Sequence, residues 1–215
     1  MNGVFNNGSV IKINNKIKSN NLSKKFLYKF IEELKHIQVE YHFSSIEYSL
    51  IGRNRDLDEV KKLNHIGVYY DPDAKNSEMS LDYIKSKIDE GVDFQQVTIK
   101  HEDEYLHKNL ISNVIKGFEK EVGFIGVLDV YTDFNVNGTN KYSGVLEIAK
   151  AEEIPLKQVY CFGDNYNDIS MFEGEINSVA MINAVDILKE KANYITKKDN
   201  NNDGIHFFIE DILKI

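Results

Sequence analysis

One stretch constrains this chain more than any other: Val159-Tyr160-Cys161-Phe162-Gly163-Asp164-Asn165-Tyr166-Asn167-Asp168-Ile169-Ser170-Met171-Phe172. Its apolar start, Val159 to Phe162, reads as a strand buried on both faces, as parallel strands are. The run stops at Gly163, a polar turn follows, and Ile169 to Phe172 can begin a helix. In open α/β sheets ligands bind beyond the carboxyl ends of the strands, which is where Asp164 and Asp168 fall. Two carboxylates with Asn165 and Asn167 between them are hard oxygen donors, the kind Mg²⁺ takes. The same letters fit a plain strand-to-helix loop with Asp168 near an N-cap, where Asp is favoured without any ligand. Spacing alone leaves both readings open.

The chain around this stretch alternates cleanly from Lys141 onward. A helix is expected over Tyr142 to Glu153, a strand at Ser178 to Met181, a helix near Val185 to Ala192 and a strand at Asn193 to Thr196. A last amphipathic helix carries Ile205, Phe208, Ile209, Ile212 and Leu213. Such alternation predicts a parallel, doubly wound sheet. The chain's start reads as a hairpin, with Val4-Phe5, a two-residue turn at Asn7-Gly8, and Val10 to Ile13.

Between these parts the pattern is irregular. Ser23 caps a helix with Phe26, Phe30, Ile31 and Leu34 on one face. Strands are expected at Val39 to Phe43 and Glu47 to Leu50, a brief helix at Asp56 to Leu63 and a strand at Ile66 to Tyr70. A helix over Ser80 to Asp89 turns Leu81, Ile84 and Ile88 inward and stops at Gly91. Phe94 to Ile99 reads as a strand, Glu102 to Glu121 as one long helix, and Phe124 to Phe134 as one strand. The Asn pairs at 14–15 and 20–21 read as compositional drift in turns. The expected fold class is therefore α/β, a doubly wound, Rossmann-like sheet with an α+β insertion.

Composition narrows the function classes. With 215 residues and 42% hydrophobic content the chain can fill real cores, and a net charge of −8 gives no basic field for nucleic acid. No apolar run approaches membrane-spanning length, and no signal-peptide pattern opens the chain. The lone Cys161 forms no internal disulfide, which points to a reducing cytoplasm. The six histidines show no metal-ligand spacing.

Five segments fall in an order that resembles a known family: Lys141, then Gly163 to Asp168, Val179 to Ala184, Ala192 to Thr196, and Asp203-Gly204-Ile205. The series is similar to the haloacid dehalogenase-like superfamily, in its Cof-type branch of sugar-phosphate and small phosphoester phosphatases. Asn2-Gly3-Val4 resembles the step that precedes that branch's large cap insertion. The resemblance implies that the doubly wound core is partial, over 1–18 and 135–215, with the inserted domain over 19–134. Ile182 departs from the pattern, which usually has Gly there.

The resemblance implies Mg²⁺ as cofactor, with Asp164 and Asp168 at the metal, and a small phosphorylated metabolite as substrate. It implies Lys141 as the catalytic cation that neutralises the transferring phosphoryl group, and Asn167 and Asn183 as substrate-binding residues. Taken alone, Lys141 reads as a solvated lysine at a helix start; its order and distance before the Gly163-Asp164 turn reverse that reading.

The family's nucleophile is the first Asp of an Asp-x-Asp-Gly-Thr loop, and no such motif occurs in this sequence. Asp71-Pro72-Asp73-Ala74-Lys75 lacks the Gly-Thr, and Ile51-Gly52-Arg53 lacks a phosphate-binding hydroxyl. The expectation is a chain truncated, split or started too far downstream, inactive by itself, with a hydrophobic sheet edge beside Val159 to Phe162 that a partner chain or oligomer covers. A non-catalytic module for phosphorylated ligands or a protein partner, and half of a split enzyme, are the alternatives. Asp199 to Glu210 also meets the spacing of a calcium-binding EF-hand loop, although a strand rather than a helix is expected before it.

Overall fold

The computed structural model describes residues 1–35, 37–53, 80–101, 103–127 and 131–214. The expected helix at Asp56 to Leu63, the strand at Ile66 to Tyr70 and the Asp71 to Lys75 loop lie outside the described residues. The chain divides into two compact units, Met1–Ser19 with Gly138–Ile215, and Asn20–Asn137.

The first unit opens with a three-stranded antiparallel meander. Strands β1 (Gly3–Phe5) and β2 (Val10–Ile13) pair with Phe5 opposite Val10, so the connection is Asn6 to Ser9, longer than the expected two-residue turn. A third strand, β3 (Lys16–Ser19), pairs with β2, and the sequence reading had none there. Its turn is Asn14-Asn15, with φ of 49° and 64°. Left-handed conformations at both central positions are what a two-residue hairpin needs, and Asn is among the few side chains that adopt them readily. What read as compositional drift is a register-setting turn.

The Asn20–Asn137 unit is an antiparallel sheet backed by helices. Helix α1 (Lys24–Leu34) begins at Ser23, whose hydroxyl accepts from the Phe26 N–H at 3.2 Å. Strands β4 (Glu40–Ser44) and β5 (Ser49–Arg53) follow, then helix α2 (Leu81–Asp89), capped by Ser80, and strand β6 (Gln96–Lys100). Helix α3 (Glu104–Ile115) is shorter than expected, ending before Gly117 at φ +85°. Its Leu106 is exposed and His107 is buried, donating or accepting at 2.8 Å from Thr132. The expected single strand at Phe124 to Phe134 is two, β7 (Val122–Val127) and β8 (Tyr131–Val136), because the apolar run is folded back on itself as a hairpin. The sheet order is β5-β4-β6-β8-β7. Between sheet and helices, Phe26, Phe30, Phe43, Phe94 and Phe134 are fully buried, with edge-on rings such as Phe30–Phe43 at 5.5 Å.

The chain then returns to the first unit. Helix α4 (Lys141–Ala151) is capped by Asn140, whose carboxamide accepts from the Ser143 N–H at 2.8 Å. Strand β9 (Tyr160–Gly163) leads through a 3₁₀ turn at Tyr166–Asp168 into the single turn α5 (Ile169–Phe172). Strand β10 (Asn177–Ala180), helix α6 (Asp186–Lys191), strand β11 (Tyr194–Ile195) and helix α7 (Gly204–Phe208) complete it, a π-helical turn following at Ile209–Leu213. The side chains of Ile212 and Leu213 lie outside those described, and Ile205 is exposed rather than inward.

All three strands are parallel, in the order β11-β10-β9. Among the described residues β9 is therefore an edge strand. Its burial corrects the expectation of a strand buried on both faces: Cys161 is buried, while Tyr160 and Phe162 are half-buried. Cys161 packs with Met171, Phe172, Ala180 and Leu188 on one side. On the other side Phe208 meets the strand, 5.4 Å from Phe162 and 6.4 Å from Tyr160, and the Tyr194 ring also lies 6.4 Å from Tyr160.

Candidate phosphate and metal site

The carboxyl end of β9 is built around Asp168. Its carboxylate is buried and both oxygens are taken: Oδ1 accepts from the Lys141 ammonium at 2.5 Å, and Oδ2 accepts from the backbone N–H groups of Asp164 at 2.9 Å and Asn165 at 3.2 Å. Charge-assisted bonds of this kind are roughly twice as strong as neutral ones. They draw the first residue of helix α4 and the loop after β9 onto a single group. Gly163 makes the approach possible, since a Cβ there would stand 2.7 Å from the Asp168 Cβ and 2.8 Å from the Phe172 ring.

Asp164 is held differently. Its N–H is fixed by Asp168, while its half-buried carboxylate accepts no hydrogen bond among the described residues. The backbone holds this residue from both sides, because its carbonyl accepts from the Val185 N–H at 3.0 Å and the neighbouring Gly163 carbonyl accepts from Met181 N–H at 3.0 Å. Asp164 is thus a fixed, unsatisfied carboxylate beside a committed one. Mg²⁺ commonly takes one or two protein carboxylates and completes its shell with water and substrate phosphate, so this donor set fits a hard divalent ion. Among the described residues no group of three or more His, Cys, Asp or Glu forms a protein-only metal cage.

The two asparagines assigned to substrate fall on separate loops. Asn167 Nδ2 lies 3.5 Å from Asn7 Oδ1, at the limit of a hydrogen bond. Asn183 is exposed on the loop after β10, and its amide donates to Asn200 Oδ1 at 3.1 Å. Lys141, Asp164 and Asp168 come together directly; Asn183 reaches the group through its loop.

Sequence reading missed Asn7 and Asn200 as members of this neighbourhood. Asn7 sits in the long turn after β1 at φ 51°, beside Gly8 at φ +95°, where a Cβ would lie 2.1 Å from the Asn140 carbonyl oxygen. The Asn-Gly letters announced a turn, but nothing in them announced that the turn abuts the cap of α4. The calcium reading is not supported by the geometry. Strand β11 precedes the loop, Asp199 Oδ1 is spent on Asn201 N–H and Asn202 Nδ2, and Glu210 lies 3.4 Å from His206. Below the site, burial and the nearby Asp168 charge push the Cys161 thiol up to about 11, so it stays protonated at neutral pH.

Comparison with known proteins identifies the family and the fold. The 5-amino-6-(5-phospho-D-ribitylamino)uracil phosphatase YwtE of Bacillus subtilis is 37% identical over 75 residues, 35% of this chain and 26% of that protein. The pyridoxal phosphate phosphatase YbhA of Escherichia coli is 39% identical over 77 residues, 36% of this chain and 28% of that protein. The matches thus span well under two thirds of these relatives' lengths. In fold the chain is similar to SMU.1108c of Streptococcus mutans, with a TM-score of 0.77 at 20% identity, covering 100% of this chain and 77% of that one. The HAD subclass IIB sugar phosphatase BT4131 gives a TM-score of 0.72 at 20% identity, covering 97% and 74%. The haloacid dehalogenase-like hydrolase profile matches residues 2–209. The profile match runs along nearly the whole chain and leads to one assignment: the chain belongs to the haloacid dehalogenase-like hydrolases.

Proposed function

We propose that this chain supplies the phosphate- and metal-handling side of a Mg²⁺-dependent phosphatase for small phosphomonoesters. The observation that carries the reading is the Asp168 carboxylate, which holds Lys141 and the Asp164 loop in fixed positions at a sheet's carboxyl end. Lys141 offers positive charge where a phosphoryl group would gain negative charge, and preorganised charge is the main catalytic lever in phosphoryl transfer. Asp164 would hold the ion, Asp168 would support it through the loop and Lys141, and Asn167 and Asn183 would meet the substrate. When bound, Mg²⁺ would neutralise phosphate charge and orient the ester. The Asn20–Asn137 unit is assigned as the cap that selects the leaving group.

The family's aspartate nucleophile is not among these residues, so the expected behaviour of the chain is binding without turnover. Calorimetry of the full chain with Mg²⁺ and inorganic phosphate tests this. Mg²⁺ binding should vanish in Asp164→Ala, and phosphate affinity should fall by about tenfold or more in Lys141→Met. Unchanged affinities in both variants would sink the assignment. Hydrolysis of p-nitrophenyl phosphate that disappears in Asp164→Ala would refute the absence of turnover while keeping the site.

A further inference from the structure

The loops that follow β10 and β11 are joined by one buried hydroxyl. Thr196 is 2% exposed; its Oγ1 accepts from the Ile182 N–H at 3.0 Å and donates to the Lys198 carbonyl at 2.6 Å. Its own N–H is fixed on the Ala180 carbonyl at 2.9 Å, so the hydroxyl is anchored to the sheet. Ile182 immediately precedes Asn183, and Lys198 stands two residues before Asn200. The two groups that Thr196 holds are therefore the stems of the Asn183–Asn200 amide pair.

We infer that Thr196 is a positioning residue for phosphate binding: its hydroxyl latches the Asn183 loop to the Asn200 loop and so fixes the Asn183 amide on Asn200. This rests on the reading of Asp164, Lys141 and Asn183 proposed above. An exposed amide–amide hydrogen bond is too weak to hold two loops by itself, because water competes for both partners. The Thr196 hydroxyl is in a different position, because it is itself buried and anchored to the sheet through its own backbone. The other stem of the Asn183 loop is bound to the metal-side loop, through Met181 N–H to the Gly163 carbonyl and Val185 N–H to the Asp164 carbonyl. The chain on either side of Asn183 is thus tied down, Val185 on the Asp164 carbonyl and Ile182 on the Thr196 hydroxyl. Loss of the latch should leave the metal end intact and loosen only the amide end.

The probe is inorganic phosphate with Mg²⁺, titrated into the full chain by calorimetry, with the Asn183 side-chain amide followed by nuclear magnetic resonance. Thr196→Val, which keeps the shape and removes the hydroxyl, should weaken phosphate about tenfold and broaden or shift the Asn183 amide signal, with Mg²⁺ affinity unchanged. Thr196→Ser should restore both. Asn200→Ala, at an exposed position with no folding demand, should weaken phosphate about threefold and supplies the test if Thr196→Val does not fold. Phosphate affinity unchanged in Asn200→Ala and Thr196→Val overturns the inference, as does a Ser variant as weak as the Val variant. Absence of phosphate binding by the parent chain is a separate result: it overturns the proposed function and the latch together.

Discussion

The two units solve the burial problem in opposite ways. Asn20–Asn137 closes around fully buried phenylalanines, and its large apolar side chains do the stabilising. The other unit has a three-stranded parallel sheet in which β9 is half-buried on one face, and its best-anchored group is a buried carboxylate, Asp168. Apolar burial is non-directional and tolerates rearrangement, whereas hydrogen bonds to a buried charge specify where each donor must be. The lesson is a division of labour: one unit derives stability from rings, the other spends sites that could have been apolar on fixing Lys141 and Asp164.

That contrast can be broken by mutation. The largest effect is expected for Phe30→Ala, which should destabilise the Asn20–Asn137 unit by about 3–5 kcal/mol in denaturant titration, because a fully buried ring leaves a cavity. Mg²⁺ binding measured under native conditions should survive it. A loss of Mg²⁺ binding in a Phe30→Ala chain that remains folded would show that the two units are not energetically separate.

Next comes Asp168→Ala, which strands Lys141 and two backbone N–H groups, with an expected loss of about 2–3 kcal/mol and of phosphate binding. Asp168→Asn should recover part of the stability and little of the phosphate affinity, since a neutral amide cannot hold the lysine by charge. Equal recovery of both would mean that shape rather than charge organises the loop.

A pH titration sharpens the comparison from the other unit. Burial holds the His42 imidazole below its ordinary range, with Asp133 opposing the shift. A folded-state value below the unfolded one means the unfolded chain takes up the proton first. The stability contributed by neutral His42 is present at neutral pH and is lost as pH falls through the unfolded value, about 6.5. Thermal melts between pH 7 and 5 should show this decline, and His42→Gln should flatten it. The smallest effect is Asn15→Ala in the β2–β3 turn, about 1 kcal/mol, because alanine resists φ near 64°. Asn15→Gly should be neutral or slightly stabilising in the same assay.

The elements legible in the sequence were those with a local cause. Ser23, Ser80 and Asn140 cap helices because a short side-chain oxygen can reach N–H groups within its own turn. The order of Lys141, Asp164 and Asp168 is likewise readable, and the carboxyl end of a parallel strand is a predictable place for the two aspartates. The length of α3 was misjudged because amphipathic spacing continues to Phe118, and only Gly117 at positive φ ends the helix. The β7–β8 hairpin is not read from the sequence because Phe124 to Phe134 is rich enough in apolar and β-branched residues to pass as one strand, despite Gly126 and Asp129 within it.

What the sequence by itself determined was the local chemistry: helix caps, the parallel alternation after Lys141, and two carboxylates in one loop. Tertiary structure alone decided how that chemistry is divided. It commits both oxygens of Asp168 to Lys141 and the Asp164 loop, leaves the Asp164 carboxylate unengaged among the described residues, and ties Asn183 to Asn200 through the buried Thr196 hydroxyl. The physical reason is distance along the chain. Partners such as Lys141 and Asp168 are brought together by sheet and helix packing, and no local propensity encodes which of two aspartates the lysine will meet.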